Sequence, residues 1–187
     1  MKEGSESILS KKDYYQLMCD LVSRDFNFND YVIVCVGSAK VLLDSLGPVI
    51  GDMLSKECKG ARVIGTTKEP CNALTLKYME SKIEELNKYY KILAIDAAIG
   101  SDKSRIGKIT FKTGSVMPRA GYEVNTLPHI GDYAITGTTL DASNKKLLYN
   151  SKLMEHEDRE FYLSNLYNLA RLIVDALKEA DQLYREW

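Results

Sequence analysis

The sequence is short of every residue that would staple, kink or polarise a chain. Only 4 of its 187 residues are proline and 12 are glycine, which excludes collagen-like and low-complexity chains. The four cysteines, Cys19, Cys35, Cys58 and Cys71, stand 16, 23 and 13 residues apart. No CxxC pair of the kind structural zinc sites use is present, so they read as reduced thiols of an intracellular protein. An excess of charge is missing too: 25 Lys and Arg face 26 Asp and Glu, for a net charge of -1. Such a chain has no field to draw in a phosphate backbone, and nucleic acid is not an expected partner. No apolar run approaches the ~20 residues that span a bilayer, and MKEGSESILSKKDYY has charges where a signal peptide needs its apolar region. A cytoplasmic protein with no membrane partner is expected.

Several catalytic signatures are absent as well. Gly37 follows a strand-like run, yet neither GxGxxG nor GxxxxGK[ST] surrounds it, so no nucleotide cofactor is expected. There is no GxSxG elbow, and with His156 inside the charged run MEHEDRE, a serine or cysteine triad would have to use His129.

What is present is an ordinary globular composition, 45% apolar and 27% charged. A chain of this length removes roughly 70% of its unfolded surface from water, and no repeat or composition break divides it, so residues 1–187 read as one domain. Behind a polar lead over 1–12, Tyr14, Leu17, Met18, Leu21 and Val22 predict a helix over 13–25. YVIVCVG has the unbroken apolar character of a strand covered on both faces, 31–36. LGPVIGDMLSKEC is a helix with Pro48 in its first turn, and ARVIGTT, 61–66, is a second strand. Pro70 and Asn72 introduce a third helix with Leu76, Met79, Ile83, Leu86 and Tyr90 on one stripe. KILAIDAAIG, from 91, is a third, buried parallel strand that ends at Asp96. IGKITFKTG, 106–114, alternates as an antiparallel or edge strand does, and GDYAITGTTL, 131–140, is a further strand. The long loop between them, 115–130, is of a length that is often functional. Tyr162, Leu166, Leu169, Ile173, Leu177, Ala180 and Tyr184 form the stripe of a closing helix, 158–185, which covers the sheet or a partner copy in a homo-oligomer. This order predicts an α/β protein, a three-layer α/β/α sandwich on a mostly parallel mixed sheet of five or six strands, phosphorylase/hydrolase-like in outline.

Two carboxylates then stand out. Asp44 lies in LLDSLGP after the first strand, and Asp96 in AIDAAIG at the third. With strand order 2-1-3, the carboxyl ends of strands one and three flank the crevice where such folds place ligands. Two carboxylates held close cannot both ionise freely, so one keeps a proton while the other accepts one from water, the pairing of acid-type proteases. The competing reading makes Asp44 a cap of the following helix and Asp96 a strand-end residue bonded to its loop. Ser45 and Gly37 beside Asp44, with Arg119 and His129 in the 115–130 loop, are the candidate substrate-binding residues.

The strings VCVGSAKVLLDSLGPVIGDML, VIGTTKEPCNA, ILAIDAAIG, IGKITFKTG and LPHIGDYAITGTT resemble, in order and spacing, the sporulation proteins of the YyaC type, relatives of the germination protease of spore-forming bacteria. The resemblance covers residues 31–140. It implies a hydrolase-like α/β/α fold and an aspartate-dependent endopeptidase, with Asp44 and Asp96 matching the family's two essential aspartates. The implied substrates are proteins or peptides such as small acid-soluble spore proteins, inside the sporulating cell or spore. The approach to the first motif departs from the usual Ser-Thr-Gly-Asp, with Val41, Leu42 and Leu43 before Asp44. A non-catalytic factor that binds a peptide or protein in the same cleft is the alternative. The more distant likeness to hydrogenase maturation proteases implies a second alternative, a nickel or zinc site of Asp44, Asp96 and His129.

Overall fold

The structure is a computed structural model that describes residues 6–117, 128–150 and 153–187. Its core is a five-stranded sheet in the order β2-β1-β3-β5-β4, formed by β1 (Tyr31–Cys35), β2 (Arg62–Ile64), β3 (Lys91–Gly100), β4 (Ile109–Thr113) and β5 (Tyr133–Asp141). Strand β1 runs parallel to β2 and β3, β3 parallel to β5, and β4 closes the edge antiparallel to β5. The helices are α1 (Glu6–Val22), α2 (Leu46–Glu57), α3 (Leu76–Asn87), the single turn α4 (Lys146–Tyr149) and α5 (His156–Glu186). The expected mostly parallel α/β/α sandwich is borne out.

The layers follow from the pleat, since alternate residues of a strand face opposite ways. Ile33, Cys35, Leu93, Ile95 and Ile135 pack under α1, α2 and α5 through Leu17, Leu21, Ile50, Leu54, Leu169 and Ile173. Their neighbours Val32, Val34, Ile92, Ala94 and Ala134 face the other way, against Leu76 and Ile83 of α3 and against Val116 and Ile130. Strand order explains why α2 and α3 lie on opposite faces. The chain steps outward from β1 to β2 and then back past β1 to β3, and right-handed crossovers in opposite directions need opposite faces.

Several boundaries differ from expectation. Helix α1 begins at Glu6 rather than near 13. Strand β3 does not end at Asp96 but continues to Gly100, because its second half pairs with the longer β5 after β1 has stopped at Cys35. As the sequence order implies, β3 leads directly into β4, through a 3-10 turn at Lys103–Arg105. The α5 stripe is buried from Tyr162 to Ala180 over this chain's own sheet, while Tyr184 is exposed.

One approach is closer than side chains permit. The first turn of α2 rests on the end of β1 so tightly that a Cβ at Gly47 would lie 2.0 Å from the Val36 carbonyl oxygen. Gly47→Ala is therefore expected to lose about 3 kcal/mol of stability or more, as overpacking against immovable backbone does. Gly60→Ala, which has open space but φ +100°, serves as the control at about 1 kcal/mol. Urea denaturation of the two variants decides; a smaller loss at Gly47 than at Gly60 would show that the approach is not what fixes α2.

Candidate active site

The site is built where the chain leaves β1. The Val36 amide donates to the Ile95 carbonyl at 2.7 Å, and the Gly37 amide to Cys71 at 2.9 Å. Gly37 has φ +141°, and a Cβ there would stand 2.1 Å from the Asp44 carbonyl oxygen. Only glycine lets the loop fold back so closely. The Ser38 amide then donates to both the Asp44 carbonyl, at 3.1 Å, and the Asp44 Oδ2, at 2.8 Å. Leu42–Asp44 form a 3-10 turn whose Leu43 is driven into a small apolar cluster with Leu140, Leu147 and Tyr162. Its carbonyl accepts from Thr139 Oγ1 at 2.6 Å. Asp44 is left 6% exposed.

Asp96 arrives from β3. Cys35, the last residue of β1, pairs with Ile95, so Asp96 sits one residue beyond the end of β1, beside the loop that carries Asp44. By alternation it lies on the α3 face of the sheet, as do Ala94 and Ala134. Lys112, in register with Ala134 on β4, shares that face. The Ala97 amide donates to Asp96 Oδ1 at 2.8 Å. Each carboxylate thus accepts one backbone amide, and among the described residues Asp44 Oδ1 and Asp96 Oδ2 accept no hydrogen bond.

The electrostatics follow from this corner. Burial pushes the Asp44 carboxyl up to about 6, partly offset by the Ser38 amide, which favours the charged form. Burial also pushes Asp96 up to about 8, the Asp44 charge raises it further, and the Ala97 amide and the Lys112 ammonium pull the other way. Asp44 ionises first, so the repulsion between them falls on Asp96. Between those two values the pair holds one proton. Cys71, buried beside Asp96, is pushed up to about 12 by burial and by that carboxylate. Its thiol therefore stays protonated and is no nucleophile near neutrality.

The structure brings together Asp44 and Asp96 but not the whole predicted set. Asp44 does not cap α2: Ser45 holds the N-cap position with no side-chain cap bond, and the Asp44 carboxylate turns to Ser38 instead. The Ser45 Oγ donates to the Leu42 carbonyl at 2.6 Å and so shapes the turn that carries Asp44. Gly37 is buried under the Asp44 backbone. His129 is exposed, with Nδ1 3.0 Å from Ser115 Oγ. Among the described residues no group of three His, Cys, Asp or Glu side chains could hold a metal ion, so the donor set of Asp44, Asp96 and His129 is not assembled. Arg119, with residues 118–127 of the 115–130 loop, lies outside the described residues. Cys71, Lys112 and Thr139 were not singled out from the sequence. Their placement depends on strand register, which no local pattern announces.

A five-stranded α/β/α sandwich with two neighbouring aspartates, a buried one on the loop that leaves β1 and a half-buried one on β3 just past the end of β1, is the class that fold and site define. The chain belongs to the family described as "Protein of unknown function (DUF1256)", whose model matches residues 5–176. It is similar to "Uncharacterized protein YyaC" of Bacillus subtilis (strain 168), with 30% identity over 162 residues, 83% of this chain and 71% of that protein. The resemblance to the YyaC-type proteins is borne out. No helix among the described residues is long and apolar enough to cross a membrane.

The raised carboxyls have a consequence for folding. An unfolded aspartate titrates near ~3.9, so between about pH 4 and the folded value of about 8 Asp96 keeps a proton that the unfolded chain has released. Stability then falls as pH rises through that window, by up to about 1.4 kcal/mol per pH unit. Asp96→Asn removes this loss. Its melting temperature should match wild type most closely below pH 4 and exceed it by a margin that grows toward pH 8 and then levels off. Parallel curves of melting temperature against pH would contradict the shift.

Proposed function

We propose that this protein is an endopeptidase of the sporulating cell or spore interior, hydrolysing peptide bonds with Asp44 and Asp96. What supports the reading is the placement of the two carboxyls side by side, their unequal upward shifts to about 6 and about 8, and, among the described residues, one oxygen on each that accepts no hydrogen bond. In the window between the two titrations Asp44 is the base and Asp96 the acid. Asp44 takes a proton from a water whose oxygen attacks the scissile carbonyl carbon, while Asp96 gives its proton to the carbonyl oxygen. Collapse of the tetrahedral intermediate breaks the C–N bond. The amine leaves with the proton that Asp44 took from water, Asp96 recovers its proton from the gem-diol, and the new carboxyl group keeps the water oxygen. The likeness to germination protease suggests small acid-soluble spore proteins as substrates.

The test is incubation of the purified protein with those substrates across pH 5–9. Cleavage should follow a bell, rising with an apparent pKa near 6 and falling near 8. Asp44→Asn and Asp96→Asn should each lower the rate by about 10²–10⁴-fold. No cleavage by wild type at any of these pH values, or cleavage untouched by either substitution, would remove the enzyme reading.

A second reading, a non-catalytic factor that binds a peptide or protein in the same corner, draws on the approach loop. Val41 and Leu42 are half-buried and Leu43 buried, and none of these three residues before Asp44 brings a hydroxyl to a polarised carbonyl. Calorimetric binding of the same substrates without turnover would favour it.

A further inference from the structure

A buried threonine on a neighbouring strand has the geometry to hold Asp44 in place. Strands β3 and β5 pair in register until Ala98 meets Thr138, and resume with Ile99 opposite Leu140. Thr139 is the extra residue of this bulge, with no partner across the ladder. Bulges in parallel pairs are rare, and those beside active sites re-aim a side chain. Here the Thr139 hydroxyl, buried at 2% exposure, donates to the carbonyl of Leu43 at 2.6 Å. That carbonyl belongs to the peptide bond leading into Asp44.

We propose that Thr139 is a positioning residue for the aspartate pair, its bulge-directed hydroxyl pinning the Leu43–Asp44 peptide so that the Asp44 carboxylate stays beside Asp96. The inference rests on the aspartate-pair reading and adds to it the group that sets the pair's spacing. The anchor is rigid at its far end. Leu140, next to Thr139, packs with Leu43, Leu147 and Tyr162, and Asp141 accepts from the Ser143 amide at 3.1 Å and Asn144 Nδ2 at 3.1 Å. From the other side the loop is held by the Ser38 amide, which donates to both the Asp44 carbonyl and its carboxylate, by Ser45 Oγ on the Leu42 carbonyl and by the close pass over Gly37. With the hydroxyl gone, the Leu43 carbonyl is a buried acceptor without a donor and the turn is drawn toward water to satisfy it. Asp44 moves with the turn, so both carboxyls gain water and Asp96 loses its charged neighbour.

Carbon-13 NMR titration of the aspartate carboxyls in the full chain tests this without reference to activity. Wild type and Thr139→Ser should share two raised titrations, assigned through loss of one signal each in Asp44→Asn and Asp96→Asn. Thr139→Val should move the upper titration down by about one pH unit. Thr139→Ala, which adds no bulk, should do the same and decides the matter where the valine variant does not fold. Thr139→Val and Thr139→Ala proteins that fold and keep both wild-type titrations would overturn the positioning role. A wild-type protein whose Asp44 and Asp96 both titrate near 4 would instead overturn the aspartate-pair reading, and this inference with it.

Discussion

Backbone lies directly on backbone where α2 meets β1, and the rest of the site depends on that closeness. At Gly47 the helix touches the Val36 peptide, and at Gly37 the returning loop touches the Asp44 carbonyl, each at a distance where a Cβ has no room. A helix seated so near the strand end leaves the eight residues from Gly37 to Asp44 no wide path. They turn back sharply, dip Leu43 into the cluster with Leu140 and Tyr162, and deliver Asp44 next to the residue that follows the β1 ladder on β3. Larger residues at these two positions would lift the helix off the strand and carry Asp44 away.

The same closeness sets the chemistry. Asp44 is buried and Asp96 half-buried, and desolvation dominates the titration of each carboxylate. Amides at Ser38 and Ala97 soften the penalty but do not cancel it. Asp44 has the smaller shift and carries the first charge; Asp96, with that charge as neighbour, keeps its proton longer. Two identical side chains thereby become unlike, and the proposed hydrolysis draws on this asymmetry. Cys71 lies within the field of Asp96, yet the same desolvation holds it as a thiol.

Much of this was legible before any coordinates. The unbroken apolar run of YVIVC marked a doubly covered strand, the alternation in ITFKT marked the antiparallel edge, and the stripe from Tyr162 to Ala180 marked a helix buried on one side. Asp44 and Asp96 could be chosen because strand-helix order alone places the ends of strands one and three at one crevice. Other expectations failed where local pattern meets tertiary pairing. Asp96 was expected at a strand end, but β3 continues because β5 is there to pair with it. Asp44 had the chemistry of a helix cap, but its carboxylate accepts from the Ser38 amide instead. His129 had the chain order of a third ligand, but lies exposed beside Ser115.

The sequence by itself determined the alternation of strands and helices, the faces each buries, and the two acidic residues at the crevice, because these depend on periodicity and chain order. Tertiary structure decided everything that depends on register: the bulge that frees Thr139, the placement of Lys112 on the face of Asp96, and the approach of Cys71 to Asp96. A one-residue change in register reverses which face a side chain occupies, and register is set by partners far along the chain. That is also why the protonation order of Asp44 and Asp96 belongs to the fold: burial and mutual charge make the difference, and neither exists until the strands are paired.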